Sequence, residues 1–163
     1  MNTGFWQDDC PREDEGTAAM APASYAPALA NFPLLLISAD DGDLRALHRI
    51  LCKECTLHHA ATCVDGRTSL RRVAPWVVVC DEVLADGDWR DVLGDLQSGQ
   101  QGPPLVVISR LADERLWAEV LNLGAYDLLT KPFVAVEVTR VVRMAARHGS
   151  RSGRGTSGGL PWE

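Results

Sequence analysis

The chain has 163 residues, 46% of them hydrophobic and 23% charged, a composition that fits one soluble globular domain and neither a disordered chain nor a membrane protein. Sixteen Lys and Arg against twenty-two Asp and Glu give a net charge of −6, which argues against nucleic-acid binding through a basic face, since such binding draws on an excess of cations. No apolar run approaches the roughly 18 residues of a membrane span, and the N-terminus has neither a basic start nor an apolar stretch behind it, so no membrane partner is expected and a cytoplasmic location is.

Residues 1–31 begin acidic (Asp8, Asp9, Glu13, Asp14 and Glu15 against Arg12), turn Ala/Pro-rich, and read as a disordered leader with too little apolar surface to offset the entropy of ordering. A continuous apolar run at 34–37 then predicts a strand buried on both faces. Leu44, Leu47, His48 and Leu51 share one face of a helix, residues 57–63 fit a more polar second strand, and Leu70 and Val73 mark a short second helix. The run at 76–80 is a third strand, followed by a helix carrying Val92, Leu93 and Leu96. Residues 105–108 form a fourth strand, and Leu116, Val120 and Leu123 a helix that Gly124 caps. Residues 126–129 supply a fifth strand, and 134–147 are long enough to favour helix over the strand that Val134, Val136 and Val138 also fit. From 149 to 163 the chain is a Gly/Ser/Arg tail expected to be flexible. The expected fold over 32–148 is therefore α/β, a doubly wound five-stranded parallel sheet with five helices.

Ligands of such sheets gather beyond the carboxyl ends of the strands. Those ends carry Ser38-Ala39-Asp40-Asp41, Asp81-Glu82, Ser109-Arg110 and Thr130-Lys131-Pro132. Carboxylates, a hydroxyl and an ammonium converging there suit a hard divalent cation beside a phosphoryl group: Mg²⁺ takes oxygen ligands, Lys offsets phosphoryl charge and Ser donates to its oxygen.

The acidic turn at 39–45, the strand end Val78-Val79-Cys80-Asp81 with its Asp86-Gly87-Asp88 loop, Val106-Val107-Ile108-Ser109, and above all Gly124-Ala125-Tyr126-Asp127-Leu128-Leu129-Thr130-Lys131-Pro132-Phe133 resemble the receiver domain of two-component response regulators, with its flavodoxin-like fold, over 33–147. The resemblance implies that Asp81 accepts a phosphoryl group from a sensor histidine kinase or phosphotransfer protein, assisted by Lys131, with Ser109 coupling its presence to an output face. It implies Mg²⁺ held by Asp40, Asp81 and the backbone carbonyl of Val83, and a cis Lys131-Pro132 bond. No enzymatic output is expected. With only fifteen residues after 148, the reading is a stand-alone receiver that signals to a downstream protein by contact.

Four positions depart from the pattern. Ala39 stands where the first acid of the metal-binding pair belongs, weakening the expected Mg²⁺ site; Arg110 follows Ser109 in place of a small residue; Leu128 occupies the aromatic switch position, with Tyr126 expected on the same strand face; and Trp89 replaces a small residue. Ala39, Arg110 and Leu128 support an alternative, a pseudo-receiver that acts as an interaction scaffold without phosphorylation. A phosphatase-type hydrolase using Asp81 is disfavoured by Val83, where a second acid would stand. Cys52, Cys55, His58, His59 and Cys63 have zinc-like spacing but fall on elements that do not converge. All five cysteines are expected as reduced thiols, and Trp6 and Trp162 are candidate partner contacts.

Overall fold

Five parallel strands make the central sheet in the order β2-β1-β3-β6-β7, with β1 spanning Phe32–Ile37, β2 Cys55–Ala60, β3 Val77–Asp81, β6 Leu105–Ser109 and β7 Asp127–Thr130. Two two-residue strands, β4 (Val83–Leu84) and β5 (Gly87–Asp88), pair as a small antiparallel hairpin beyond β3. This is a computed structural model, and it describes residues 31–99 and 101–152; the readings of the leader, of the tail beyond 152, and of Cys10, Trp6 and Trp162 lie outside the described residues.

The continuous apolar runs are the strands because both sheet faces are covered. Leu34 and Leu36 of β1, Val77 and Val79 of β3, and Val106 and Ile108 of β6 pack under α1 (Asp41–Leu51) and α5 (Ala135–Ser152). Leu35, Ile37, Val78, Cys80 and Val107 face the other way, under α2 (Cys63–Val73), α3 (Trp89–Gln97) and α4 (Glu114–Leu123). The doubly wound, flavodoxin-like sheet with five helices is thus present as expected. Strand order reverses between β1 and β3, which opens the crevice that holds the site.

The second strand departs from expectation: it is Cys55–Ala60, and Cys63 begins α2 instead of ending β2. Thr62 caps α2 by accepting from the Asp65 amide, and Asp86, carried on the β4–β5 hairpin, accepts from the amides of Cys63 and Val64 at 2.8 and 3.0 Å. Asp88 caps α3 in a reciprocal box with Asp91, Asp113 caps α4, and Gly124 ends α4 with φ +101°, a conformation that suits glycine. Tyr126 lies outside β7 and packs toward the α1/α5 side, tilted against His148, whereas Leu128 packs toward α3 and α4; the two do not share a face because the strand starts only at Asp127.

Helix α5 continues to Ser152, so residues 149–152 of the expected tail are helical. A Cβ on Gly149 would lie 2.2 Å from the carbonyl oxygen of Trp76, whose ring stacks on Phe32 at 6.0 Å. The better helix propensity of alanine is outweighed by that clash, and Gly149→Ala is expected to destabilise the domain by about 1–2 kcal/mol in a urea titration. Cys55, Cys63 and Cys80 are buried free thiols, and burial pushes the Cys55 thiol up to about 12; Cys52 is disulfide-bonded, against the expectation of reduced thiols throughout.

Candidate functional site

Asp81 ends β3, and the pairing of Ile37 with Cys80 and of Asp81 with Ile108 sets Ser38 on one side of it and Ser109 on the other. Lys131 follows β7 across a cis bond to Pro132, the isomer expected, and its amide donates to the Ser109 carbonyl at 2.9 Å. From there Nζ donates to Oδ2 of Asp81 at 2.9 Å and to Oδ2 of Asp43 at 2.5 Å. The Lys131 side chain is 9% exposed, Asp43 7% and Asp81 20%, so of the three the acceptor candidate meets water most. Burial works against the Lys131 charge, but the hydrogen bonds and charges of Asp43 and Asp81 outweigh it and raise its pKa above the ordinary lysine value.

Ser38 joins the same network. Its hydroxyl lies 3.0 Å from Asp43 Oδ2 and, more distantly, 3.4 Å from Asp81 Oδ2, while its own carbonyl lies 2.7 Å from Nε2 of His59. The strand β2 thereby turns His59 to the site end of β1, and among the described residues no group of three or more His, Cys, Asp or Glu is placed to hold a metal ion.

Asp40 sits at the start of α1. It caps α1, accepting from the Gly42 amide at 2.7 Å, and its other carboxylate oxygen accepts from Arg110 at 3.0 Å. The Gly42 hydrogen bond first, and then Arg110, hold its carboxyl below the usual carboxylate range. The acid that shares Lys131 with Asp81 is Asp43, one turn into α1, and the residue beside Asp81 at the end of β1 is Ser38. Around Asp81, the Asp40 carboxylate is engaged by Arg110, Val83 pairs with Asp88 in the hairpin, and the cation facing Asp81 is Lys131.

Arg110 is 74% exposed. Because β1 and β6 flank β3, its ion pair with Asp40 links the segments that follow the strands on either side of Asp81. Ser109 is buried; its hydroxyl donates to Oε2 of Glu82 at 2.5 Å and accepts from the Leu111 amide at 3.0 Å. Glu82 is anchored next to Asp81, since its amide donates to Asp81 Oδ1 at 2.9 Å. Asp81, Lys131 and Ser109 are thus gathered at one sheet end as expected. Ser38 and Glu82 lie at the strand ends singled out in the sequence but were given no role there, and neither was Asp43, although Asp43, Leu47 and Leu51 at a spacing of four form one buried stripe of α1 that marks Asp43 as inward-facing.

No protein-family model matches the chain. Among curated proteins it is 36% identical over 93 residues to the transcriptional regulatory protein KdpE of Mycobacterium tuberculosis, covering 55% of this chain and 41% of that one. It is 27% identical over 115 residues to the regulatory protein AtoC of Escherichia coli, covering 69% and 24%, and 28% identical over 118 residues to the hybrid signal transduction histidine kinase D of Dictyostelium discoideum, covering 70% and 8%. The chain thus spans less than half the length of each of these relatives. Among solved structures, a signal receiver domain from Vibrio parahaemolyticus superposes with a TM-score of 0.71 at 17% identity, covering 78% of this chain and 98% of that one. The CheX-CheY-BeF3-Mg complex of Borrelia burgdorferi matches with a TM-score of 0.62 at 19% identity, covering 69% and 87%.

Proposed function

With the described part of this chain a response regulator receiver domain of two-component signalling, we propose that it takes a phosphoryl group onto Asp81 from a histidine kinase or phosphotransfer protein and passes the signal on by protein contact. The observation that carries the reading is the Lys131 ammonium 2.9 Å from Asp81 Oδ2 at the strand crevice, with Ser109 on the adjoining strand. Asp81 attacks phosphorus through a carboxylate oxygen, the bond from phosphorus to the donor's leaving group breaks, and an acyl phosphate forms. Lys131, already charged and held by Asp43, meets the negative charge that gathers on the phosphoryl oxygens.

No helix among the described residues is long and apolar enough to cross a membrane. The module is a signalling element in this reading and has no enzymatic output of its own. A small-molecule phosphodonor such as acetyl phosphate, in buffer containing Mg²⁺, tests it: the intact chain gains the mass of one phosphoryl group, and Asp81→Asn abolishes the gain.

A second reading, an interaction scaffold that works without phosphate, is favoured by the Arg110–Asp40 ion pair, which engages the carboxylate expected to hold a metal, and by the Ser38, Asp43 and Lys131 contacts that already engage Asp81 Oδ2 or its partner. Absence of any phosphoryl gain by the unmodified chain selects it.

A further inference from the structure

A serine hydroxyl has one proton to give. That of Ser109 is given to a carboxylate of the chain itself, Oε2 of Glu82 at 2.5 Å, while the hydroxyl oxygen is occupied by the Leu111 amide at 3.0 Å. Ser109 is 1% exposed, so water does not compete for it. The Glu82 backbone is held in place: its amide donates to both Asp81 Oδ1 and the Ile108 carbonyl at 2.9 Å, and its carbonyl accepts from the Trp89 amide at 3.3 Å. A carboxyl oxygen one residue beyond Asp81 therefore takes the one hydroxyl proton Ser109 can offer.

Taking Asp81 as the phosphoryl acceptor, we propose that Glu82 is an internal competitor for Ser109, occupying the hydrogen bond that a phosphoryl oxygen on Asp81 would need and so setting the affinity of the site for the phosphoryl group. A phosphoryl group must displace Glu82 from Ser109 before the hydroxyl can respond to it. The contact makes Glu82 a positioning residue that acts through Ser109.

The test uses the full chain, with beryllofluoride in Mg²⁺-containing buffer as the phosphoryl analogue and the backbone amides of Asp81 and Ser109 followed by NMR. Glu82→Ala is expected to tighten binding about tenfold, the worth of releasing a hydrogen bond to a charged acceptor, and Glu82→Gln, which keeps the side-chain shape, by less. The gain must vanish when Ser109 is also replaced by alanine, because simple removal of a repelling charge would survive that change. Equal affinity of the unmodified chain and Glu82→Ala, or a gain that persists without Ser109, overturns the proposal while leaving Asp81 as acceptor. If no variant takes the analogue, the acceptor reading fails, and the competitor is judged on the Ser109 hydroxyl proton alone: slow exchange with water that becomes fast in Glu82→Ala upholds the contact, and unchanged exchange overturns it.

Discussion

Replacing Lys131 by methionine is expected to destabilise the domain by about 3–5 kcal/mol, measured by urea or thermal unfolding near pH 7. The size follows from what is left behind. The ammonium is bonded to Asp43 and Asp81 together, and the Asp43 carboxylate, with a side chain only 7% exposed, keeps only the Ser38 hydroxyl once it is gone. A buried carboxylate without its partner bears the desolvation cost that the pair had offset. Adding Asp43→Asn to Lys131→Met should therefore recover a substantial part of the loss, because the orphaned charge is removed with its partner; a double variant as unstable as the sum of the two singles would show that they do not interact. The pH dependence has a definite sign. A lysine whose folded pKa is raised contributes stability that is fully present below its unfolded value of about 10.4 and is lost as pH climbs through the higher folded value, so the Lys131 contribution is flat from neutral to mildly alkaline pH and falls away only above that.

Trp89→Ala is the second large effect, also about 3–5 kcal/mol. Trp89 opens α3 and is fully buried among the residues under α2, α3 and α4, with the Arg90 guanidinium 4.9 Å from its ring centre. Its indole nitrogen has no hydrogen-bond partner, so the side chain is there for its volume and apolar surface and not for its N–H. Trp89→Phe removes that unpartnered N–H while keeping an aromatic ring, and should cost only about 1–2 kcal/mol. Equal losses for Phe and Ala in chemical unfolding would mean that the N–H matters and the volume does not.

Trp89 also shows what could be read from the chain. In the sequence it is a bulky residue in place of a small one; in the fold it fills the space beneath the β4–β5 hairpin, whose two-residue strands are too short to leave a periodic signal. Strands β1, β3 and β6 were legible because burial on both faces demands unbroken apolar runs, and α4 because Gly124 closes it. Strand β2 lies at the sheet edge with four half-buried residues of six, so its pattern is mixed, and its end was misplaced because the Asp86 contact that starts α2 at Cys63 comes from a distant hairpin.

The site divides in the same way. Asp81, Lys131 and Ser109 follow directly from strand ends, which fix position along the sheet axis. Which of Asp40, Asp41 and Asp43 turns inward depends on where α1 begins and how it rotates against β1, a matter settled by packing of Leu47 and Leu51. The Glu82–Ser109 contact needs the β3–β6 register and a side-chain rotamer, neither of which a linear sequence displays.

The chemistry at Asp81 is decided most directly by peptide mapping of the chain after treatment with acetyl phosphate, alongside Asp81→Asn and a receiver of known competence. One phosphoryl group on the peptide that contains Asp81, absent from the Asn variant, is the predicted result. A chain that stays unmodified while the competent receiver is labelled, or labelling that survives in Asp81→Asn, would contradict it.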